Sequence, residues 1–403
     1  MPELEYLTPD PDANLKPPVI YCDYAATAPM PLGVRSAASY IMKEYYNPSS
    51  LYQQSKDLSQ LIYSARRYIA DKLGTKPEKV IFTSGGTESN NWAIKSLAKL
   101  AKAAGKNHII SSAIEHPSVL LPLLELEKEG FKLSLILPDE NGLIDAEKVR
   151  NEITDNTFFT TIMYVNNEIG TIQPIKEIGK ICKEKHVLFH TDATQAIGHL
   201  PVDLERQNVD LLTLSAHKFG GMKGVGCLVL GNDVKIPPMI LGGGQEYGMR
   251  SGTENVPGII STAEALKEAY TNFYSNSAHD YVHQRQLLMK LETIPDTRIN
   301  ANLHLDKLPN NINVSFKGIS GQSLALMLAG DGILVSTTSA CSVNSGKRSH
   351  VLEAIKVPEE YIDGTIRITF GHDLTDSEID HIYNSIKENV EQLRRLNNGR
   401  KEN

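Results

Sequence analysis

The sequence predicts an α/β protein: a mostly parallel sheet flanked by helices on both faces, followed by a smaller α+β domain. Three observations carry this. Between residues 79 and 230, short β-rich runs alternate with amphipathic helical patterns. The strand runs are apolar along their length, as expected for strands buried on both faces. After residue 255 the alternation gives way to a long helical stretch and then to mixed strands and helices. A chain of 403 residues is too long for one small core, and roughly 100–200 residues per domain implies a large unit and a lesser one. This reading assigns residues 17–260 to the large domain, and 1–16 with 261–403 to the small one.

The elements follow in order. "KVIFTS" is followed by the helical "ESNNWAIKSLAKLAKAAG", and "HIISS" by "HPSVLLPLLELEKEG". "TFFTTIMYV" precedes "PIKEIGKICKEK", and "HVLFHTD", "VDLLTLS" and "GVGCLVL" supply further strands. The second domain opens on one long helical stretch from "NVPGII" to "LETI". It continues through "NNINVSF", "SGQSLALMLAGDG" and "GTIRITF" to a final helix from Asp376. There is no internal repeat and no low-complexity linker, so the two domains are expected to pack closely.

Composition narrows the function. With 41% hydrophobic and 22% charged residues, the chain is an ordinary globular protein. Its net charge of -7 argues against a nucleic-acid surface, which needs clustered Lys and Arg. The one basic run, "LRRLNNGRKEN", reads as a solvated tail. No stretch reaches the ~20 apolar residues that cross a bilayer. The start, "MPELEYLTPDPDANLKPP", lacks the basic residues and apolar run of a secretion signal. Cys22, Cys182, Cys227 and Cys341 are far apart, without a C-x-x-C pair. That spacing suits neither a zinc site nor a disulfide framework, so no metal and a cytoplasmic location are expected.

In sheets of this kind ligands bind beyond the carboxyl ends of the strands, and the residues there are distinctive. Ser84, Gly85, Gly86 and Thr87 stand just before a helix, where backbone N–H groups and the helix dipole favour an anion. The Walker lysine and the G-x-G-x-x-G pattern are both missing, which disfavours a nucleotide. Asp192 ends "HVLFHTD", where it either caps a turn or holds a positive charge in a cleft. Ser215, His217 and Lys218 end "VDLLTLS". Lys218 lies between an apolar strand and glycines, so its amine should enter a crevice, where burial makes a lysine nucleophilic. A buried lysine, a carboxylate for a ring nitrogen and donors for a phosphate together describe a pyridoxal 5'-phosphate site.

The cysteines divide. Cys22, Cys182 and Cys227 lie in strand or helix contexts and read as small buried hydrophobes. Cys341 lies in "STTSACSVNSGKRSH", a small, polar run in which Lys347 and Arg348 favour the thiolate.

Motifs from about residue 21 to residue 380 carry a resemblance. They are "YCDYAATAPM", "NPSS", "FTSGGTESNN", "EHPSV", "VNNEIGTIQP", "HTDATQAIG", "SAHKFGGMKGVG", "GGGQEYGMRSGT", "SACS" and "IRITFG". In that order they resemble a cysteine desulfurase of the NifS/IscS type, within the class V aminotransferase group of pyridoxal-phosphate enzymes. The resemblance implies a seven-stranded sheet in the large domain and removal of sulfur from L-cysteine, giving L-alanine and a persulfide on Cys341. It implies that Lys218 carries the cofactor as a Schiff base, that Asp192 pairs with its ring nitrogen and that His116 stacks on its face. Gln195 and Asn167 would lie near the phenolic oxygen and the substrate. Gly86, Thr87, Ser215 and His217 would hold the phosphate, and Arg367 would clamp the substrate carboxylate. Thr253 would reach the neighbouring site of a homodimer.

Sulfur would pass to an acceptor or scaffold protein for iron–sulfur cluster assembly or tRNA thiolation, with Cys341 as a transient iron–sulfur ligand at most. Singly, these residues have plainer readings. His116 could make a local bond, Arg367 could be a surface residue, Asn167 and Gln195 could serve turns, and Thr253 could cap a helix. The chain departs from the family pattern at Leu51-Tyr52, at Tyr247 and in "VNSGKR" after Cys341. A selenocysteine lyase, an aminotransferase or a partner-docking protein with vestigial activity remain alternatives on the same scaffold.

Overall fold

The computed structural model describes residues 19–271, 273–301, 307–337 and 348–399. The chain starts with β1 (Ile20–Tyr21), α1 (Leu32–Ile41) and α2 (Gln53–Leu73). Strands and helices then alternate: β2 (Val80–Thr83), α3 (Gly86–Ala103), β3 (His108–Ser112), α4 (Pro117–Lys128), β4 (Lys132–Ile136) and α5 (Ala146–Glu152). The alternation runs on through β5 (Thr157–Thr161), α6 (Ile175–Glu184), β6 (Leu188–Asp192), α7 (Leu204–Gln207), β7 (Leu211–Ser215) and β8 (Gly226–Leu230).

β2 to β8 form one seven-stranded sheet in the order β2-β8-β7-β6-β5-β3-β4. Only β8 runs against the others. Successive side chains of a strand face opposite ways, and the cores show it. Ile110 and Leu212 join Ile69, Phe82 and Phe189 on one face, while Ile109 and Leu211 join Trp92, Phe159 and Leu228 on the other. β4, at the sheet edge, is absent from the sequence reading. Lys132 and Leu135 are exposed there, so "KLSLI" lacks the continuous apolar run of its neighbours.

The second half holds α8 (Val256–Thr271), α9 (Phe273–Leu291), β9 (Thr297–Ile299), β10 (Asn311–Phe316), α10 (Gly321–Gly330) and β11 (Ile333–Leu334). α11 (His350–Ala354), α12 (Glu359–Ile362), β12 (Thr365–Thr369) and α13 (Asp376–Gly399) follow. The sheet here is antiparallel, β12-β10-β9, and β1 pairs with β11. The long helical stretch of the sequence is two helices that serve different cores. α8 packs on α1 and α2, with Ile259 and Leu266 in the core of the large sheet. α9 contributes Leu287 and Leu291 to a second core with Phe316, Ile366 and Ile382. Cys22, beside β1, is buried in that second core. A small apolar cluster joins the halves: Ile114, Met163 and Ile169, beyond the ends of β3 and β5, pack against Val351, Leu352 and Ile355 of α11 and its end.

Among the described residues, no helix is long and apolar enough to cross a membrane.

Candidate active site

The carboxyl ends of β2, β3, β5, β6 and β7 meet at a cavity of about 990 Å³, closed on its other side by residues of the second half. Backbone geometry sets the first wall. β2 passes into α3 through Ser84 and Gly85, and Gly85 has φ +149°, open to glycine and strained for other residues. Its backbone lies against Gly226 on β8, where an added Cβ would come within 2.8 Å of Gly85 Cα. Glu88 accepts from Ser84 N at 2.8 Å and fixes the turn. The first turn of α3, with Gly86 and Thr87, therefore opens on the cavity with its positive dipole end.

Asp192, at the end of β6, is held from two sides. Its Oδ1 accepts from Thr194 N at 3.0 Å and its Oδ2 from Asn90 Nδ2 at 2.7 Å. Asn90 Nδ2 also donates to Ser118 Oγ at 2.9 Å, and that hydroxyl lies 2.7 Å from His116 Nδ1. His116 caps α4 by accepting from Ser118 N. Its Nδ1 is thus an acceptor, and the neutral ring carries its proton on Nε2. Burial lowers its pKa below the usual value; Asp192 opposes this, and Lys218 and His350 add to it.

Lys218 follows β7 in a single 3₁₀ turn, Ala216–Lys218. Its Nζ donates to the carbonyls of Ala25 at 2.7 Å and Ala26 at 2.9 Å. Gln195 Nε2 donates to the same Ala25 carbonyl at 3.0 Å. His217 Nδ1 lies 3.1 Å from Thr27 Oγ1, and burial beside Lys218 and Lys223 pushes its pKa down to about 4. The "AAT" of the early motif is therefore a wall of the site.

Arg367, on β12, is buried. It donates from Nη2 to Asp23 Oδ1 at 2.7 Å and from Nη1 to the Asn167 carbonyl at 2.9 Å. Its Nε is buried with no partner among the described residues.

Every expected site residue among the described ones, Thr253 excepted, lines this cavity: Gly86, Thr87, His116, Asn167, Asp192, Gln195, Ser215, His217, Lys218 and Arg367. Thr253 is exposed and lies outside it. Its glycine-rich segment is pinned by two ion pairs, Arg250–Glu88 and the buried Arg66–Glu246. Tyr247 has φ +58°, and its ring lies 5.1 Å from the Arg66 guanidinium. Leu51 is exposed, and Tyr52 meets Tyr46 edge-on. Cys341 lies outside the described residues, while Ser336, Thr337, Arg348 and Ser349, on either side of it in sequence, line the cavity.

The sequence reading left out Asp23, Asn90, Glu115, Ser118, Glu168 and Thr194. Glu115 is fully buried, with Ser112 Oγ and Met163 N donating to its Oε1, and burial pushes its pKa up to about 8. Glu168 accepts from Ser349 Oγ at 2.5 Å, and burial pushes it up to about 7. Asn90 and Ser118 stand within the quoted "TESNN" and "EHPSV", but only the structure shows that they are buried.

This donor set fits pyridoxal 5'-phosphate. Lys218 supplies an amine, Asp192 a rigidly held carboxylate and His116 a ring. Thr194 Oγ1 is buried without a partner among the described residues, and a Cβ on Gly86 would come within 3.1 Å of it. A glycine at 86 and a waiting hydroxyl are what a closely seated anion requires.

Comparison with known proteins agrees. The class-V aminotransferase family model matches residues 20–382. A cysteine desulfurase IscS of Methanosarcina thermophila is 43% identical, over 94% of this chain and 93% of its own. A solved NifS-like protein superposes with a TM-score of 0.87 at 35% identity, covering 93% of this chain and all of that one. The structure titled SspA in complex with cysteine gives 0.77 at 35% identity, covering 87% and 98%. With sequence, fold and cavity in accord over nearly its whole length, the chain belongs to the class-V aminotransferases and, within them, to the cysteine desulfurases of the NifS/IscS type.

Proposed function

We propose that this pyridoxal-phosphate-dependent cysteine desulfurase moves the sulfur of L-cysteine onto Cys341 as a persulfide, releases L-alanine and passes the sulfur to an acceptor protein. The observation that carries this is the convergence of Lys218, Asp192 and Arg367 on one cavity that also receives both flanks of the Cys341 segment.

Lys218 would hold the cofactor covalently, Asp192 would pair with its ring nitrogen, and Thr87, Ser215 and His217 with the backbone at Gly86 would hold its phosphate. Once bound, the cofactor supplies an electron sink for bonds at and beside the substrate α-carbon. Arg367 binds the substrate carboxylate, for which its planar fork is suited. Neutral His116, its Nδ1 engaged by Ser118 N, holds a proton on Nε2 that it can donate within the cavity, and Gln195 and Asn167 border the substrate.

In the sulfur step the Cys341 thiolate attacks the sulfur of cysteine. An S–S bond forms and the Cβ–S bond breaks. The electron pair stays with Cβ, which takes up a proton to become the methyl group of alanine. Sulfur is oxidised and carbon reduced, so no outside oxidant is needed. Thr253, exposed at the end of a pinned segment, is placed by this reading at the neighbouring site of a homodimer in the cytoplasm.

The test is intact mass after incubation with L-cysteine without reductant, beside a Cys341→Ala variant. Wild type should gain sulfur at Cys341 and release alanine, and the variant should do neither. Equal turnover by both would transfer the reading to another reaction of the same cofactor.

A further inference from the structure

We infer that Glu168 is a positioning residue: its bond to Ser349 fixes the start of α11, eight residues after Cys341 in sequence. The inference rests on Cys341 being the group that takes the sulfur.

Glu168 has no other side-chain hydrogen bond among those the described residues show, and it lines the cavity although it is 8% exposed. A buried carboxyl is costly unless it is engaged, and the group that engages it comes from the far half of the protein, 181 residues away. Ser349 is the N-cap of α11, and its Oγ also accepts from Leu352 N at 3.2 Å. Two further contacts act on the same stretch. His350 Nε2 lies 3.0 Å from the Glu115 carbonyl, and Arg348 pairs with Glu359 and Asp363. Below them, Val351 and Leu352 pack on Ile114, Met163 and Ile169.

Glu168 is itself immobilised. Asn166 Oδ1 accepts from its N–H at 2.9 Å, and its carbonyl accepts from Asn313 Nδ2 at 3.1 Å. The preceding carbonyl, of Asn167, takes the Arg367 Nη1 bond. One short turn, residues 166–168, therefore fixes both the Arg367 guanidinium and the C-terminal root of the Cys341 segment. The two reacting groups, a cysteine held by its carboxylate and the thiol that attacks it, are referred to the same piece of backbone. Misplacing a reacting atom by about 1 Å can cost on the order of a hundredfold in rate.

The test uses the holoenzyme with Ser349→Ala, Glu168→Ala, the double variant, and Ser349→Thr, which keeps the hydroxyl and the cap. Two quantities are read: the dissociation constant for L-cysteine from the visible absorbance of the bound cofactor, and kcat for alanine release. The expected result is that Ser349→Ala binds cysteine within about twofold of wild type while kcat falls about ten- to a hundredfold. Ser349→Thr should recover most of that loss. Glu168→Ala leaves the α11 cap intact, so an equal fall there assigns the effect to the bond, and the double variant should fall no further than either single.

Unchanged kcat in Ser349→Ala would overturn the inference. So would cysteine binding that weakens in step with kcat, or additive losses in the double variant. A Cys341→Ala control separates the two levels. If it still turns over cysteine, the role given to Cys341 has failed. If it is inactive while Ser349→Ala is normal, only the positioning role has failed.

Discussion

Asp23 accepts a 2.7 Å hydrogen bond from Nη2 of Arg367 across 344 residues of sequence, holding one arm of the guanidinium at the cavity wall. The Asn167 carbonyl holds the other arm, and Nε is buried with no partner among the described residues. The fork is thus oriented in advance, with donor capacity to spare for a carboxylate. Lysine has the charge but not the fork, and it cannot satisfy both anchors and a ligand. Arg367→Lys should therefore raise KM for L-cysteine about ten- to a hundredfold, the equivalent of about 1.5–3 kcal/mol for a lost charge-assisted bond. kcat should change much less. Steady-state kinetics checks this, and an unchanged KM would remove Arg367 from the carboxylate site.

Asn90 is the bridge between Asp192 and Ser118, and through Ser118 it reaches His116. Its removal leaves Asp192 Oδ2 without its neutral donor in a buried setting, at a cost of about 1–3 kcal/mol. The same change releases the group that orients the His116 ring. Asn90→Ala should fold, with weaker cofactor retention by about tenfold or more. Visible absorbance before and after dialysis measures this directly. Retention equal to wild type would make the bridge dispensable.

These two relationships show where sequence was sufficient and where it was not. Strand ends such as "LFHTD" and "LLTLSAHK" stand out because apolar runs stop abruptly at polar residues, so Asp192 and Lys218 were visible one strand at a time. Arg367 could be carried over by resemblance, but its partner Asp23 could not be found, since nothing in "YCDYAAT" signals a contact 344 residues away. Asn90 and Glu168 were hidden for another reason. A polar side chain in a helix or turn is normally solvated, and only the packed structure reveals these two as buried. The seven-stranded sheet was expected, yet its order was not legible, because parallel strands pair through crossovers of any length. β4 escaped because an edge strand with Lys132 exposed has no apolar run to detect.

Glu115 gives a pH signature. Burial raises its folded pKa to about 8, from an ordinary value of 4.5. The unfolded chain therefore loses this proton near pH 4.5, while the folded protein keeps it until about pH 8. Between those limits the folded state binds more protons, so this group's contribution to stability declines as pH rises. Glu115→Gln has nothing to titrate, and its amide oxygen can still accept from Met163 N. The difference in Tm, variant minus wild type, should rise steadily from pH 5 to pH 8. Thermal melts of both proteins at several pH values test it; a difference independent of pH would mean that Glu115 is ionised in the folded protein.

The last prediction concerns the ion pair behind the glycine-rich segment. Arg66 and Glu246 are both buried and meet through two bonds, at 2.6 and 2.7 Å. Glu246 Oε2 also accepts from Phe82 N at 2.9 Å, and the Arg66 guanidinium lies over the rings of Phe82 and Tyr247. Such a pair adds little over apolar residues of equal volume, but breaking it strands a charge away from water. Glu246→Ala should cost about 3–5 kcal/mol. Arg66→Met combined with Glu246→Leu should cost clearly less than that single change, although Phe82 N then lacks its acceptor. Urea unfolding midpoints rank the two variants, and a single change that proved milder than the double would mean that Arg66 finds water or another partner once Glu246 is gone.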